Sequence, residues 1–491
     1  MNTLYPQIDK TLKRPVYLQL YDYIKNEILN GALEQGQRLP SLRTLAKSLS
    51  LSITTIEMAY TQLLVEGYIS SRPGSGYRVH PADIARVQQY PPLPALQTAL
   101  TVQTALSDPQ PRELPLEPQQ ELAQVPRQQE TLYDLSCFDF VKWKKCANRI
   151  LNDYPHLLLS EATPQGELEL RQEIARYVYQ SRGVRCHPEQ VVIAAGTQQI
   201  TSIICTMLQK LSIHKAVVEN PGYQPVQKIM QERGLELIPT KVESSGLSLT
   251  DLPKEERVCV YVSPSNQFPT GAVMPIGKRY QLLSWAAEHD SVIIEDDYDS
   301  ELRYFGKPIP SLQGLDQQDR VIYLGSFSST LFPAIRISYM VVPAPLLSTL
   351  MSTITNYAQT CSKAEQLTLA MYMGQGLYQI HLKKLRKLYA QKLQQTVQSL
   401  RLHFRGMVGF LNTSSGIHLL LWISNDHSRD RMLQAAASLG LRMVLHRYGS
   451  EDRKVIIFYY NQIPLEQIEP IISKLAETKI FSMIKNESQY N

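Results

Sequence analysis

The chain has no long apolar run. Its longest strongly apolar stretch, Leu419–Ile423 (LLLWI), falls far short of the roughly 18 residues needed to cross a bilayer. The opening MNTLYPQIDKTLKRP lacks the continuous apolar stretch of a secretory leader. Cysteine is sparse and scattered: the six, at 137, 146, 186, 205, 259 and 361, include no close pair of the kind that holds zinc or frames a disulfide scaffold. A dominant charge is also missing. A net +5 over 491 residues says little by itself about nucleic acid, and residues 1–80 reach only +3, from nine Lys/Arg against six Asp/Glu. These absences lead to the expectation of a cytoplasmic, reduced protein with no membrane partner.

Glycine is missing altogether from residues 81–130, which instead hold nine prolines and ten glutamines. Such a segment buries too little apolar surface to offset the entropy of ordering, and reads as an extended linker over 81–131. It divides a small unit, 13–80, from a large one, 132–485.

In the small unit, Tyr17, Leu20, Ile24 and Ile28 recur at helical spacing, as do Leu42, Leu45, Ala46 and Leu49, then Ile56, Ala59, Tyr60 and Leu63. Ser41 and Ser52 stand where the caps of the second and third helices belong. Two short helices joined by about three residues, followed by GYISSRPGSGYRV, read as a helix-turn-helix with a β-wing turned at Gly74 and Gly76. A three-helix protein-interaction module fits the same periodicity.

In the large unit, Val/Ile-rich runs at 191–195, 216–219, 258–262, 292–295, 321–324 and 337–342 alternate with helical stretches. That alternation predicts an α/β fold around a largely parallel, doubly covered sheet, with ligands at the carboxyl ends of its strands. The polar motifs GTQQ, NPGY, SPSNQFPTG, EDDYDSE and GSFSST fall at those ends. The acids Glu295, Asp296, Asp297 and Asp299 read either as a divalent-metal site or as solvated charge. With no matching acid or histidine cluster elsewhere, no metal is expected.

The motifs L-P-S-x-R (Leu39–Arg43), S-x-T-T-I (Ser52–Ile56), A-Y-x-x-L, E-G-Y-I and R-P-G-S-G (Arg72–Gly76) closely resemble the winged helix-turn-helix of the GntR superfamily. Taken in order, the polar motifs of the large unit resemble the fold-type I aminotransferase domain of pyridoxal-phosphate proteins. Together the two units resemble the MocR/GabR-type regulators, over roughly 13–80 and 132–475. The resemblance implies a DNA operator as partner, with contacts from Arg43, Ser52, Thr54 and Thr55 in the helices and from Arg72, Gly74 and Ser75 in the wing. Ile53 departs from the pattern, which commonly has arginine there. It also implies a homodimer and a small-molecule effector.

For the large unit the resemblance implies that Gly196 and Thr197 open a phosphate-holding helix and that Tyr223 stacks on the cofactor ring. Asp296 would pair with the ring nitrogen, Tyr298 with the ring hydroxyl, and Asn266 or Gln267 with the ring oxygen, while Ser326 and Arg336 would hold phosphate. Gln224 and Pro225 stand where many members carry a carboxylate-binding arginine; Arg447 is the candidate for a second one. The pattern G-x-F-S-K puts the amine that links to the cofactor aldehyde at position 329, which here is Ser329, and no lysine lies between 308 and 362. A hydroxyl cannot make that link or shuttle the proton of transamination. The expectation is a transcriptional regulator whose large unit does not turn over substrate, and which binds pyridoxal or pyridoxamine phosphate non-covalently or serves as a dimerisation body alone. The competing expectation is an aminotransferase with an appended DNA-binding module.

Overall fold

The computed structural model describes residues 16–79 and 132–478, apart from positions 35, 50, 66–67, 73–75, 133, 305–309, 405–407, 411–414, 424–425 and 448–453. The expected linker over 81–131 lies outside the described residues, as do Gly74 and Ser75.

The small unit packs helices α1 (Val16–Leu29), α2 (Leu42–Leu49) and α3 (Ile53–Val65) against a hairpin of β1 (Ile69–Arg72) and β2 (Gly76–Val79). Its core is the union of the three apolar stripes: Leu20, Ile24 and Ile28 meet Leu45, Ile56, Tyr60 and Leu63. Both short helices start on the same device. Ser41 Oγ accepts from Thr44 N at 3.2 Å, and Ser52 Oγ accepts from Thr55 N at 3.1 Å; such a cap is worth about 1 kcal/mol. Tyr60 donates its hydroxyl to Pro40 O at 3.0 Å and packs edge-on to Tyr77 of the wing, ring centroids 4.9 Å apart. Ile276 of the large unit is fully buried in this same core, with Tyr280 and Leu315 packed beside it.

The large unit begins with α4 (Phe140–Asp153) and α5 (Leu168–Arg182), then enters the sheet through β3 (Val191–Ala194). Helices α6 (Thr197–Lys210) and α7 (Gln224–Glu232) alternate with β4 (Lys215–Asn220) and β5 (Glu236–Glu243), followed by the short β6 (Gly246–Leu247) and by β7 (Cys259–Val262). Next come α8 (Ile276–Glu288), β8 (Val292–Asp296), the single turn α9 (Leu312–Leu315), β9 (Val321–Ser326) and β10 (Ser338–Val341). The order across the eight-stranded sheet is β3-β10-β9-β8-β7-β4-β5-β6. Strands β9, β8, β7, β4 and β5 run parallel, whereas β10 is antiparallel to both β3 and β9. That reversal follows from chain length, since residues 327–337 are too few for the helical crossover a parallel return requires.

Side chains alternate through the sheet with period two. Val191 and Ile193 join one apolar layer, Val192 and Ala194 the layer on the opposite face. Both faces are covered, which is why these strands read as unbroken apolar runs. Helices α10 (Leu347–Ile354), α11 (Lys363–Gly374) and the long α12 (Leu377–Phe404) lead to a second, antiparallel sheet. It contains β11 (Val408–Phe410), β12 (Leu419–Ile423), β13 (Met443–Arg447) and β14 (Lys454–Phe458), with α13 (Asp426–Ser438) and α14 (Ile468–Glu477) packed around it. Among the described residues no helix is long and apolar enough to cross a membrane.

Candidate functional site

The carboxyl ends of β3, β4, β7, β8 and β9 meet the start of β10 along one edge, where Ser338 pairs with both Ala194 and Ser326. A cavity of about 370 Å³ opens there, within the range of small-molecule sites. Thr197, Gln198, Tyr223, Asp296, Tyr298, Ser326, Ser329 and Arg336 line it, together with Ser263, Phe268, His418, Arg442 and Tyr459. Residues separated by up to 262 positions in sequence (Thr197 and Tyr459) are thus brought together, His418, Arg442 and Tyr459 coming from beside the strands of the second sheet.

One end is built for an anion. Helix α6 starts at Thr197 with Gly196 as its cap residue, so unpaired backbone amides face the cavity with the positive end of the helix dipole behind them. Gly196 has φ of +86°, and a Cβ there would come within 2.2 Å of Arg336 Nη2; only glycine lets the guanidinium lie over the helix start. Arg336 itself is held in the left-handed region, φ 47°, at a cost of about 1–2 kcal/mol outside glycine. Ser326 Oγ accepts from Ser328 N at 3.3 Å, and the buried Ser328 Oγ has no hydrogen-bond partner among the described residues.

The opposite wall is a cluster of buried carboxyls, which corrects the reading of these acids as solvated charge. The acids are neither solvated nor gathered around a common centre; each faces its own donor. Leu312 N and Gln313 N donate to Glu295 at 2.8 and 2.9 Å, which caps α9. Tyr261 donates its hydroxyl to Asp296. Arg182 donates to Asp297 at 2.6 Å, and so does Tyr323 at 2.6 Å. Asn266 Nδ2 donates to both Asp299 oxygens, at 2.9 and 2.7 Å. Burial pushes the Asp296 carboxyl up to about 6. Burial also pulls the His418 imidazole down to about 4, which leaves a neutral ring beside Phe268, 5.5 Å between centroids.

Glu219, at the end of β4, is buried under this wall. Its Oε2 accepts from Ser263 N at 3.3 Å and from Gln267 Nε2 at 3.2 Å, while Oε1 has no partner among the described residues. Burial pushes this carboxyl up to about 8 from an ordinary 4.5. Between those values the folded state holds more protons than the unfolded one, so stability is greatest below the unfolded pKa and falls as pH rises through the folded one. Glu219→Gln is expected to remove a slope approaching about 1.4 kcal/mol per pH unit in this window. Urea unfolding of both proteins at several pH values between 5 and 8.5 measures it; parallel curves would show that Glu219 does not carry the proton.

Two sequence-predicted residues are placed beside the cavity rather than on its wall. Asn266 is engaged by Asp299 and by Ser415 Oγ at 3.2 Å, with only a 3.4 Å approach to the Tyr298 hydroxyl. Gln267 ties together Glu219, Pro221 O and Thr270. Arg447 ends β13, its backbone in register with Lys454. Arg442, immediately before β13, lines the cavity with its guanidinium 4.3 Å from the Tyr459 ring centroid. Sequence reasoning missed Arg442, Phe268, His418 and Tyr459. The FPTG turn held Phe268 in plain view, but nothing local marked the other three.

In the small unit Arg43 and Thr54 are exposed, and Arg72 ends β1 at the edge of the wing. Ser52 and Thr55 are engaged with one another, Oγ to Oγ1 at 2.7 Å.

Residues 140–449 match the family "Aminotransferase class I and II", and residues 16–79 match "Bacterial regulatory proteins, gntR family". The chain is 33% identical over 442 residues to the probable rhizopine catabolism regulatory protein MocR of Rhizobium meliloti, covering 88% of this chain and 87% of that one. The chain belongs to the MocR-type subfamily of the GntR regulators. Such a regulator from Bacillus subtilis, the uncharacterized HTH-type transcriptional regulator YdeL, is 39% identical over 444 residues, 89% of this chain and 90% of that one. The HTH-type pyridoxine biosynthesis transcriptional regulator PdxR of Corynebacterium glutamicum is 32% identical over 466 residues, 94% and 95% of the two chains. The fold of the large unit is that of a multiple substrate aminotransferase from Thermococcus profundus, TM-score 0.62 at 25% identity, over 72% of this chain and 90% of that one. This regulator therefore joins an HTH DNA-binding unit to an aminotransferase-like α/β unit, and its fold class is the one its motifs imply.

Proposed function

We propose that this regulator senses a ligand without converting it. Units 13–80 of a cytoplasmic homodimer read an operator, segment 81–131 tethers them, and unit 132–485 pairs the two copies and binds pyridoxal or pyridoxamine phosphate non-covalently. The observation that carries this reading is Ser329. It lies in the cavity wall at the position where the resemblance calls for the cofactor-linking lysine, and its hydroxyl donates to Tyr298 O at 2.8 Å. An oxygen so placed offers neither an amine nucleophile nor a base able to carry a proton between carbons.

The rest of the wall fits such a cofactor. The α6 amides, Arg336, Ser326 and the orphaned Ser328 hydroxyl suit its phosphate, with the arginine acting as a charged fork. Asp296 suits the ring nitrogen, Tyr223 the ring face and Tyr298 the ring hydroxyl. When bound, the cofactor supplies an electron-withdrawing ring; the residues of this chain hold and orient it. Among the described residues neither Arg336 nor Arg442 has a carboxylate in ion-pairing reach, which favours an anionic guest over a vestigial pocket. Arg442, which lines the cavity, suits the carboxylate of an amino-acid-like effector, beside the sequence candidate Arg447.

Binding pyridoxal phosphate shifts the DNA-bound population only if it prefers one arrangement of the two units. Calorimetry is expected to give a measurable heat with pyridoxal or pyridoxamine phosphate, weakened roughly ten- to a hundredfold by Arg336→Ala, the loss of one charged hydrogen-bonding group. No heat with either compound or with free amino acids would reduce the large unit to a dimerisation body.

A further inference from the structure

The recognition helix is unusual in what it offers the DNA. Helix α3, ITTIEMAYTQLLV, contains no lysine or arginine. At 100° per residue, Ile56, Ala59, Tyr60 and Leu63 occupy one side and are buried. Thr54, Glu57, Met58 and Thr61 fall on the opposite side and are exposed; Ile53, in the first turn, lies angularly beside Tyr60 but is exposed as well. Two of these are large apolar groups left open to solvent, Ile53 at 49% and Met58 at 45% exposure. The hydroxyls at the helix start contribute less than their number suggests, because Ser52 caps the helix and is bonded to Thr55.

Cations surround the helix rather than sit on it. Arg43 and Lys47 project from α2, while Arg38 and Arg78 adjoin each other where residue 38 pairs with the wing. Flanking cations of this kind neutralise phosphates and set the register of docking, but carry little base information. Reading is left to the exposed face of α3. In the major groove the only apolar feature of a base pair is the thymine C5-methyl group, and the usual guanine reader is a basic side chain, which α3 lacks.

We propose that this regulator selects its half-site through thymine methyl groups seated against Ile53 and Met58, with Glu57 accepting from a cytosine N4 amino group between them. This extends the DNA-binding role by naming what the helix reads. It also gives a physical meaning to Ile53 where the family pattern has arginine: the substitution exchanges guanine reading for methyl reading.

The test uses the full-length protein and a duplex selected by it from a random pool. Each thymine is replaced in turn by deoxyuridine, which removes the methyl and leaves every hydrogen-bonding group in place. Affinity is expected to fall about three- to fivefold at one or more positions per half-site, the effect of one methyl withdrawn from apolar contact. In Ile53→Ala or Met58→Ala protein, uracil at the matching position is expected to cause no further loss of affinity. Uracil tolerated at every position overturns the proposal, and so does a uracil penalty undiminished in both variants. A pool that yields no preferred duplex overturns the proposal together with sequence-specific reading itself, which separates the two failures.

Discussion

Ser329→Lys is expected to turn a protein that releases pyridoxal phosphate on gel filtration into one that keeps it, coloured and fixed irreversibly by borohydride. On the proposed reading Arg336 over the start of α6 holds the phosphate and Asp296 meets the ring nitrogen. Only the amine is missing. Ser329 replaces it with a hydroxyl bonded to Tyr298 O, and oxygen in that position makes no stable carbon–nitrogen link. The lysine would also restore a base at the reacting carbon. General-base assistance alone is worth roughly 10²–10⁴-fold in rate, so the native protein is expected to transfer amino groups at least that much more slowly than the lysine variant. The measurement is transfer from an amino acid to a keto acid by both proteins under the same cofactor concentration. Equal rates would mean that Ser329 does not silence the chemistry, and would favour an aminotransferase with an appended DNA-binding unit. Loss of cofactor by the lysine variant would instead mean that the pocket has decayed beyond its missing amine.

The comparison of sequence and structure explains why this prediction can be so specific. Strand–helix alternation was legible because both faces of the sheet are covered, so Val191–Ala194 and residues 292–294 are apolar throughout. Direction was not legible. The run at 337–342 looks like any other strand, and its antiparallel pairing follows from the short link 327–337 that also carries Ser329 and Arg336. Side-chain roles were least legible where one residue type serves two purposes. Ser52 and Thr55 satisfy the pattern of DNA contacts and the pattern of a cap alike, and only the 2.7 Å hydroxyl pair shows them engaged together. The five acids from Glu295 to Glu301 look alike in sequence, yet each is defined by a partner far away in the chain: α9 amides, Tyr261, Arg182, Asn266 and Tyr177. Arg442 was missed for the same reason. Its partner is the ring of Tyr459, and nothing in LRMVLHR separates it from Arg447.

Arg182→Met is expected to destabilise the large unit by roughly 3–5 kcal/mol, the cost of leaving a buried charge without its counter-ion. Arg182 and Asp297 have side chains 2% and 1% exposed. The guanidinium donates to Asp297 at 2.6 and 3.3 Å and to Ser265 Oγ at 2.5 Å, while its backbone carbonyl accepts from Ser311 N at 3.1 Å. Asp297 in turn stands between Asp296 and Tyr298, so the pair fixes the strand end that presents both to the cavity. Removing the arginine leaves, among the described residues, Tyr323 as the remaining side-chain hydrogen-bond donor to Asp297, too little for a buried carboxyl beside Glu295, Asp296 and Glu301. Removing both charges is a different matter. In the double variant Arg182→Met, Asp297→Leu most of the stability is expected to return, because well-packed apolar groups replace a buried pair at little net cost. Urea unfolding of the wild type, both single variants and the double variant gives the coupling energy directly. A single-variant loss under about 1 kcal/mol would place this pair with exposed salt bridges. The second readout is cofactor affinity, which is expected to weaken in the Arg182→Met protein and to recover only partly in the double variant. Stability needs the pair merely balanced, whereas the placement of Asp296 and Tyr298 needs these hydrogen bonds themselves.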